Sequence, residues 1–167
     1  DSEVLIYGYQ EYGTALLQKL RGMFSFVIWN KKEKTLFGAR DFFGIKPLYY
    51  AQMGETFLFG SEIKSFLPHP HFKKVLNTAA LENYLTFQYS PCTETFFKGV
   101  YKLPPAHYFI YKDGKLDMFP RSEISGWDEV RPDPIIFLNS FHRFLIVRLE
   151  PIFNVRIIGL YIIQDFV

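Results

Sequence analysis

The residues best placed to do chemistry lie in residues 39–50, where charged side chains interrupt two apolar, strand-like runs. Arg40 and Asp41 stand side by side, a pairing that can serve acid–base chemistry or form a structural ion pair. Gly44 can adopt a backbone angle that bulky residues avoid, and Lys46 precedes a proline that favours an extended entry into the next strand. We therefore predict a turn between two hairpins, and we interpret Arg40 and Asp41 as a structural pair that braces it.

The other chemical candidates are a single cysteine and four histidines. Cys92 cannot form an internal disulfide, which is typical of a protein from a reducing compartment, and we expect it to be structural or incidental. His69 and His71 lie in a proline-broken segment, and the other two histidines are isolated. Because no metal-ligand spacing appears, the sequence predicts no metal site.

Composition limits the possible partners. The 167 residues are 49% hydrophobic and 22% charged, which supplies enough apolar material for one globular core. The net charge is only +2 and the longest basic cluster, residues 31–34, fits a solvent-exposed hairpin turn, so no nucleic-acid partner is predicted. Residues 152–163 are apolar but shorter than the roughly 20 residues of a membrane span, so no membrane partner is predicted either.

Apolar periodicity and turn residues predict helices beside antiparallel hairpins, an α+β fold with layered packing. The first helix is expected over residues 1–12, and a second is expected to start at a Thr14 cap, with Leu16, Leu17 and Leu20 on one face. Two further short helices are expected to start at Ser61 and at an Asn77 or Thr78 cap. The expected hairpins pair residues 23–29 with 35–39, 48–51 with 56–59, and 108–111 with 116–119. Tyr49 and Tyr50 are expected to alternate between core and surface.

The composition changes after Pro120. Residues 1–120 contain 12 lysines, whereas residues 121–167 contain none and are rich in isoleucine. This last segment lacks helix caps and turn chemistry, so no fold is predicted for it. We interpret it as an aberrant tail, translated out of frame or through an intron. Since the first residue is aspartate, we expect the chain to be processed or to be a piece of something longer.

Four segments in order carry a family resemblance: residues 1–5, 21–29, 39–50 and 60–67. Together they resemble the second half of the class II glutamine amidotransferase domain of glutamine-hydrolysing asparagine synthetases. Residues 76–85 and 95–107 resemble the region that joins this domain to the synthetase part. The run 102–107 is close to a family signature that carries glycine where Ala106 stands. The Ser-Glu-Ile-Lys and Lys-Leu-Pro-Pro segments favour asparagine synthetase over its relatives.

The resemblance implies part of a four-layer N-terminal-nucleophile sandwich. It places the C-terminal part of the amidotransferase domain and its junction at residues 1–107, a terminal hairpin and linker at 108–120, and the aberrant tail at 121–167. Asp1 is expected to bind the α-amino group of glutamine. The structural motif is expected to comprise Arg40, Asp41, Gly44, Lys46 and Glu62.

The implied reaction of the parent enzyme is hydrolysis of the glutamine side-chain amide to ammonia, which then amidates aspartate to asparagine. This second step consumes ATP, and the resemblance places ATP and Mg in the synthetase domain of the parent. The family attacks glutamine with a mature N-terminal cysteine, which these 167 residues do not contain, so no catalytic residue is assigned and the chain alone is expected to be inactive. It also lacks the Ser-Gly-Gly-x-Asp-Ser phosphate loop of the synthetase part, so no cofactor is expected to bind it.

Two other interpretations remain open. The chain could be a non-catalytic interaction module that forms a homodimer through its isoleucine-rich tail, or a piece of another class II glutamine amidotransferase. The expected compartment is the cytoplasm.

Overall fold

The computed structural model describes residues 2–121 and 155–163. Within these residues the elements are, in chain order, α1 (Ser2–Tyr12), α2 (Leu16–Lys19), β1 (Met23–Asn30), β2 (Thr35–Arg40), β3 (Tyr49–Met53), β4 (Thr56–Gly60), α3 (Thr78–Phe87), β5 (Val100–Lys102), β6 (His107–Lys112), β7 (Lys115–Pro120) and β8 (Val155–Ile163), with 3₁₀ turns at Gly13–Ala15 and Ile63–Phe66. The predicted α+β class is confirmed. The chain divides into two compact units, one of residues 1–46 with 105–167 and one of residues 47–104.

The first unit is a five-stranded sheet in the order β7-β6-β2-β1-β8, with each neighbouring pair antiparallel. Its core joins apolar side chains of α1, α2, β1 and β2. Tyr9 of α1 stacks on Phe37 of β2 with 5.1 Å between the ring centroids. Burial of these side chains holds the helices on the sheet, because each large apolar side chain removed from water contributes roughly 1.5–3 kcal/mol.

The helical start of the chain is partly as predicted. The helix ends at Tyr12, and Leu16, Leu17 and Leu20 are buried as expected. The predicted Thr14 cap is wrong. Gly13 has a φ of +57°, which leads the chain into a 3₁₀ turn that contains Thr14, and α2 begins after Ala15 without a side-chain cap.

The second unit is a three-stranded antiparallel sheet in the order β4-β3-β5. Tyr49 and Tyr50 lie on opposite faces of β3, as the predicted alternation requires, although both are half-buried. Tyr49 packs against the unit's core, while Tyr50 stacks on Tyr101 and Phe57 at centroid distances of 5.5 and 6.2 Å. The neighbouring rings therefore cover Tyr50 on its own face of the sheet.

Two short helical segments follow β4 along the chain. The helix expected from Ser61 is a 3₁₀ turn that begins after Glu62. The Asn77 cap of α3 is confirmed, because its Oδ1 accepts a hydrogen bond from the Ala80 amide. Asn77 also donates to Glu94 at 2.6 Å, which ties the start of α3 to the segment before β5.

Most of the predicted tail lies outside the described residues, so its interpretation as an aberrant segment stays a prediction. Residues 155–163 are described, and they form β8, a strand that the sequence did not predict. No helix among the described residues is long and apolar enough to cross a membrane.

Candidate functional site

The predicted turn between the hairpins is built around the carboxylate of Asp41, which is 1% exposed. Its Oδ1 accepts hydrogen bonds from the amides of Phe43 and Ile45 at 3.1 and 3.0 Å, and its Oδ2 accepts one from Lys46 at 3.0 Å. Hydrogen bonds to a charged acceptor are stronger than those between neutral groups. One side chain therefore fixes the path of the backbone from residue 43 to residue 46.

The backbone of Asp41 connects this turn to two other parts of the first unit. Its amide donates to the Phe24 carbonyl of β1 at 2.8 Å. Its carbonyl accepts from the amides of Gly44 and Ala106 at 3.1 and 3.0 Å. The turn, the start of β1 and the entry to β6 thus meet at one residue.

Arg40 closes the same turn from the other side. It is 2% exposed, and its guanidinium donates from Nε to the Lys46 carbonyl at 2.7 Å and from Nη2 to the Gly44 carbonyl. Arg40 and Asp41 therefore act on the turn through its backbone groups, the arginine on carbonyls and the aspartate on amides.

Gly44 sits where a side chain does not fit. Its φ is +63°, and a Cβ added there would lie 2.8 Å from Cγ of Pro105 and 3.0 Å from Cζ of Arg40. Both the backbone angle and the close approach require glycine at this position. Ala106, at the entry to β6, also has a positive φ of +55° although it carries a Cβ.

Arg121 was missed by sequence reasoning, which placed it in the tail. It is 1% exposed, its Nη2 donates to the Leu17 carbonyl at 2.6 Å, and its guanidinium lies 5.1 Å from the centroid of the Phe24 ring. Its amide donates to the Ala106 carbonyl at 2.7 Å. Burial lowers the pKa of Arg121 to about 10, an effect that the negative charge of Asp41 opposes.

The remaining predicted residues are not part of this turn. Glu62 belongs to the second unit, where it precedes the 3₁₀ turn and forms an exposed ion pair with Lys64. Cys92 is exposed, and its Sγ accepts a long hydrogen bond of 3.8 Å from the Asn83 side chain. Asp1 lies outside the described residues, and α1 begins at the next residue.

The side chains of the turn stabilise its backbone and do not form a catalytic group. The carboxylate oxygens of Asp41 already accept three backbone amides, and the turn contains no cysteine, serine or threonine that could act as a nucleophile. Across residues 2–121 and 155–163, no group of three or more His, Cys, Asp or Glu side chains could hold a metal ion. Any covalent chemistry thus needs a group from outside the turn.

Comparison with known proteins gives relatives over most of the chain. Asparagine synthetases [glutamine-hydrolyzing] 3 and 1 of Bacillus subtilis are 40% identical over 116 residues and 42% identical over 117 residues. These alignments cover 68% and 70% of this chain, and 19% and 18% of the relatives. Amidase chry2 of Gibberella zeae is 34% identical over 136 residues, or 80% of this chain and 19% of the relative.

The chain therefore spans about a fifth of the length of these relatives. A family model described as a glutamine amidotransferase domain matches residues 1–121, which include the whole Asp41 turn, Ala106 and Arg121. This match extends over more than half of the sequence, and the chain accordingly belongs to the glutamine amidotransferase domain family.

Proposed function

We propose that this chain is the second half of the glutamine-hydrolysing domain of an asparagine synthetase. The observation that carries the proposal is the family match over residues 1–121 together with the identity to two synthetases named as glutamine-hydrolysing. The parent enzyme releases ammonia from the side-chain amide of glutamine and uses it for the ATP-dependent amidation of aspartate in the cytoplasm. Glutamine is the substrate that this half helps to bind.

Within that reaction, the chain supplies shape and substrate contacts. Asp1 binds the α-ammonium group of glutamine through a charge-assisted hydrogen bond. Arg40, Asp41 and Gly44 hold the turn that follows β2, and the backbone of Asp41 ties this turn to β1 and to the entry of β6. The attacking thiol belongs to an N-terminal cysteine of the parent, because Cys92 is exposed and its contact with the Asn83 amide supplies no base to activate it.

ATP and Mg belong to another part of the parent. The residues present do not fit them, since the described residues offer no metal-binding cluster and the sequence contains no Ser-Gly-Gly-x-Asp-Ser string. No step of the synthetase reaction is therefore assigned to residues 1–167.

A chimera tests the glutaminase half of the proposal. Residues 1–121 replace the segment of Bacillus subtilis asparagine synthetase 3 that aligns with them, and ammonia release from glutamine is measured without aspartate or ATP. We expect a rate within about tenfold of the unmodified enzyme, because the relatives' own nucleophile is then present. The matched chimera with that cysteine changed to alanine should release none. A folded chimera that keeps the cysteine and releases no ammonia would contradict the proposal.

The role of Asp1 is tested in the same chimera. Asp1→Asn removes the negative charge but keeps the size of the side chain. We expect the KM for glutamine to rise about tenfold, equivalent to roughly 1.4 kcal/mol of lost binding, with a smaller change in kcat. An unchanged KM would show that another group binds the α-ammonium.

A second candidate function is simple amide hydrolysis. The alignment with Amidase chry2 covers a larger share of this chain than the two synthetase alignments, although its identity is lower. A chimera with that amidase that hydrolyses its amide substrate, while the synthetase chimera is inactive on glutamine, would favour this alternative.

A further inference from the structure

The exposed apolar side chains of the described residues are concentrated in one short stretch. Seven of the fourteen large apolar side chains that are exposed fall between Val75 and Phe96, in the second unit. Leu85 of α3 is 70% exposed, and Phe87 at the end of this helix is 54% exposed. Single exposed apolar side chains are ordinary, but a contiguous group of them is typical of a surface that binds a partner.

The spacing of these side chains gives α3 one apolar face. We define the α3 face as four large apolar side chains of this helix, Leu81, Tyr84, Leu85 and Phe87. Each of them lies three or four residues from another, which is the spacing of neighbours on a helix surface. The opposite side is polar, where the Thr86 hydroxyl donates to the Glu82 carbonyl at 2.9 Å.

The rest of the second unit covers little of the α3 face. Of the ten residues of α3, only Ala80 is buried, and Tyr84 has an edge contact with the ring of Phe96 at a centroid distance of 5.3 Å. Both helix ends are nonetheless fixed, by the Asn77 cap and by the Gln88 amide, which donates to the Tyr84 carbonyl at 2.7 Å. Because so short a helix gains most of its stability from packing of its apolar face, α3 needs a partner surface.

The charges of α3 favour a protein partner over a membrane surface. Residues 78–89 contain a single charged side chain, Glu82, and no lysine or arginine. Helices that lie on membranes are rich in basic residues beside their apolar face, because these bind anionic lipids. An uncharged face of aromatic and aliphatic side chains instead has the composition of the buried core of a protein interface.

The relatives indicate where that partner lies. α3 falls within residues 1–121, which the family model matches, and the alignments with the two Bacillus subtilis synthetases cover 19% and 18% of those proteins. Most of such an enzyme therefore lies outside the aligned segment and in the same polypeptide. A surface on the same polypeptide meets α3 at a much higher effective concentration than a second molecule does.

We propose that the α3 face docks on the synthetase part of the parent enzyme and holds the glutaminase domain against it. This inference rests on the proposed function, because the parent supplies the partner surface. That surface must itself be apolar, since polar groups buried against the uncharged α3 face would be left without hydrogen-bond partners.

Hydroxyl-radical labelling, which oxidises side chains that water reaches, tests the docking in two proteins. One is the 167-residue chain, and the other is the Bacillus subtilis asparagine synthetase 3 chimera that carries residues 1–121. We expect Tyr84, Leu85 and Phe87 to be labelled readily in the 167-residue chain. In the chimera their labelling should be slower by at least about threefold, because the core of an interface excludes water.

Two variants of the chimera locate the contact. Leu85→Glu places a charge in the α3 face and should return the labelling of Tyr84 and Phe87 to the rates of the 167-residue chain. The matched control, Thr86→Glu, places the same charge on the opposite side of α3 and should leave the protection in place. Both positions are exposed, so neither variant removes a buried side chain from the second unit.

Ammonia release from glutamine is measured on the same samples, so that the two proposals fail separately. Absence of ammonia release counts against the proposed function alone, because labelling of the α3 face requires no turnover. The docking is overturned if the α3 face is labelled equally fast in the chimera and in the 167-residue chain, or if its protection survives Leu85→Glu. Protection that rises with protein concentration also overturns it, since the α3 face would then bind a second copy.

Discussion

Ala106→Gly is expected to stabilise the protein, because Ala106 is held in a conformation that suits glycine. Its φ is +55°. Its amide donates to the Asp41 carbonyl at 3.0 Å and its carbonyl accepts from the Arg121 amide at 2.7 Å. With both backbone groups engaged, the residue cannot rotate out of the left-handed region without losing two hydrogen bonds.

The size of the effect follows from two opposing terms. A residue with a Cβ costs about 1–2 kcal/mol in the left-handed region relative to its preferred conformations. Glycine removes that strain but loses more backbone entropy on folding, which costs roughly 0.5–1 kcal/mol. The net expectation is a gain of about 1 kcal/mol in the free energy of unfolding. For a chain of this length, that gain corresponds to a rise of about 2–4 °C in Tm.

Urea unfolding of the full chain measures this gain. The midpoint should rise with an unchanged m-value, which marks a change in stability and not in the surface exposed. Ala79→Gly is the matched control, since Ala79 is exposed in α3 and should lose about 0.5–1 kcal/mol on the same substitution. If Ala106→Gly is neutral or destabilising while the control behaves as expected, the strain assigned to Ala106 is absent.

Three further predictions concern the turn and the helical layer. Gly44→Ala should lower the free energy of unfolding by about 2–4 kcal/mol, from backbone strain and steric contact. The control Gly13→Ala should lower it by only about 1 kcal/mol, because Gly13 has a similar φ but open space around it. Equal losses in urea unfolding would contradict this prediction. Asp41→Asn should cost about 2–4 kcal/mol, because the negative charge and one of the two oxygens that accept backbone amides are replaced by an NH₂ group. The exposed Asp117→Asn should cost less than about 1 kcal/mol. Burial is the main cause that raises the pKa of Tyr9 above its ordinary value of 10.0. The neutral Tyr9 side chain therefore adds stability at neutral pH, and this stability is lost as the pH rises past 10.0. Tyr9→Phe should therefore flatten the alkaline loss of stability, and an unchanged slope would refute this.

Features set by neighbouring residues could be predicted from the sequence. The three hairpins follow from apolar runs separated by polar turns, and the Asn77 cap follows from a side chain next to the helix start. The position of Gly44 at a turn is also local, since glycine suits a positive φ. The Thr14 cap failed because Gly13 redirected the chain, which residue type alone does not reveal.

Features that depend on distant contacts could not be predicted. Arg121 is buried against Leu17, which lies 104 residues earlier, and no local pattern near Arg121 indicates that contact. The pairing of β8 with β1 is equally distant in sequence. Ala106 gave a usable signal, because it stands where the resembling signature carries glycine, and the positive φ at this residue supplies a physical reason for that glycine. The three amides bound by Asp41 required the fold of the turn itself.

The most direct test of the proposed function compares two nitrogen sources in the Bacillus subtilis asparagine synthetase 3 chimera that carries residues 1–121. Asparagine formation from aspartate and ATP is measured once with glutamine and once with ammonium. We predict that both support synthesis, because residues 1–121 complete a working glutaminase domain. Synthesis that proceeds with ammonium but not with glutamine would leave the synthetase intact and contradict the function proposed for this chain.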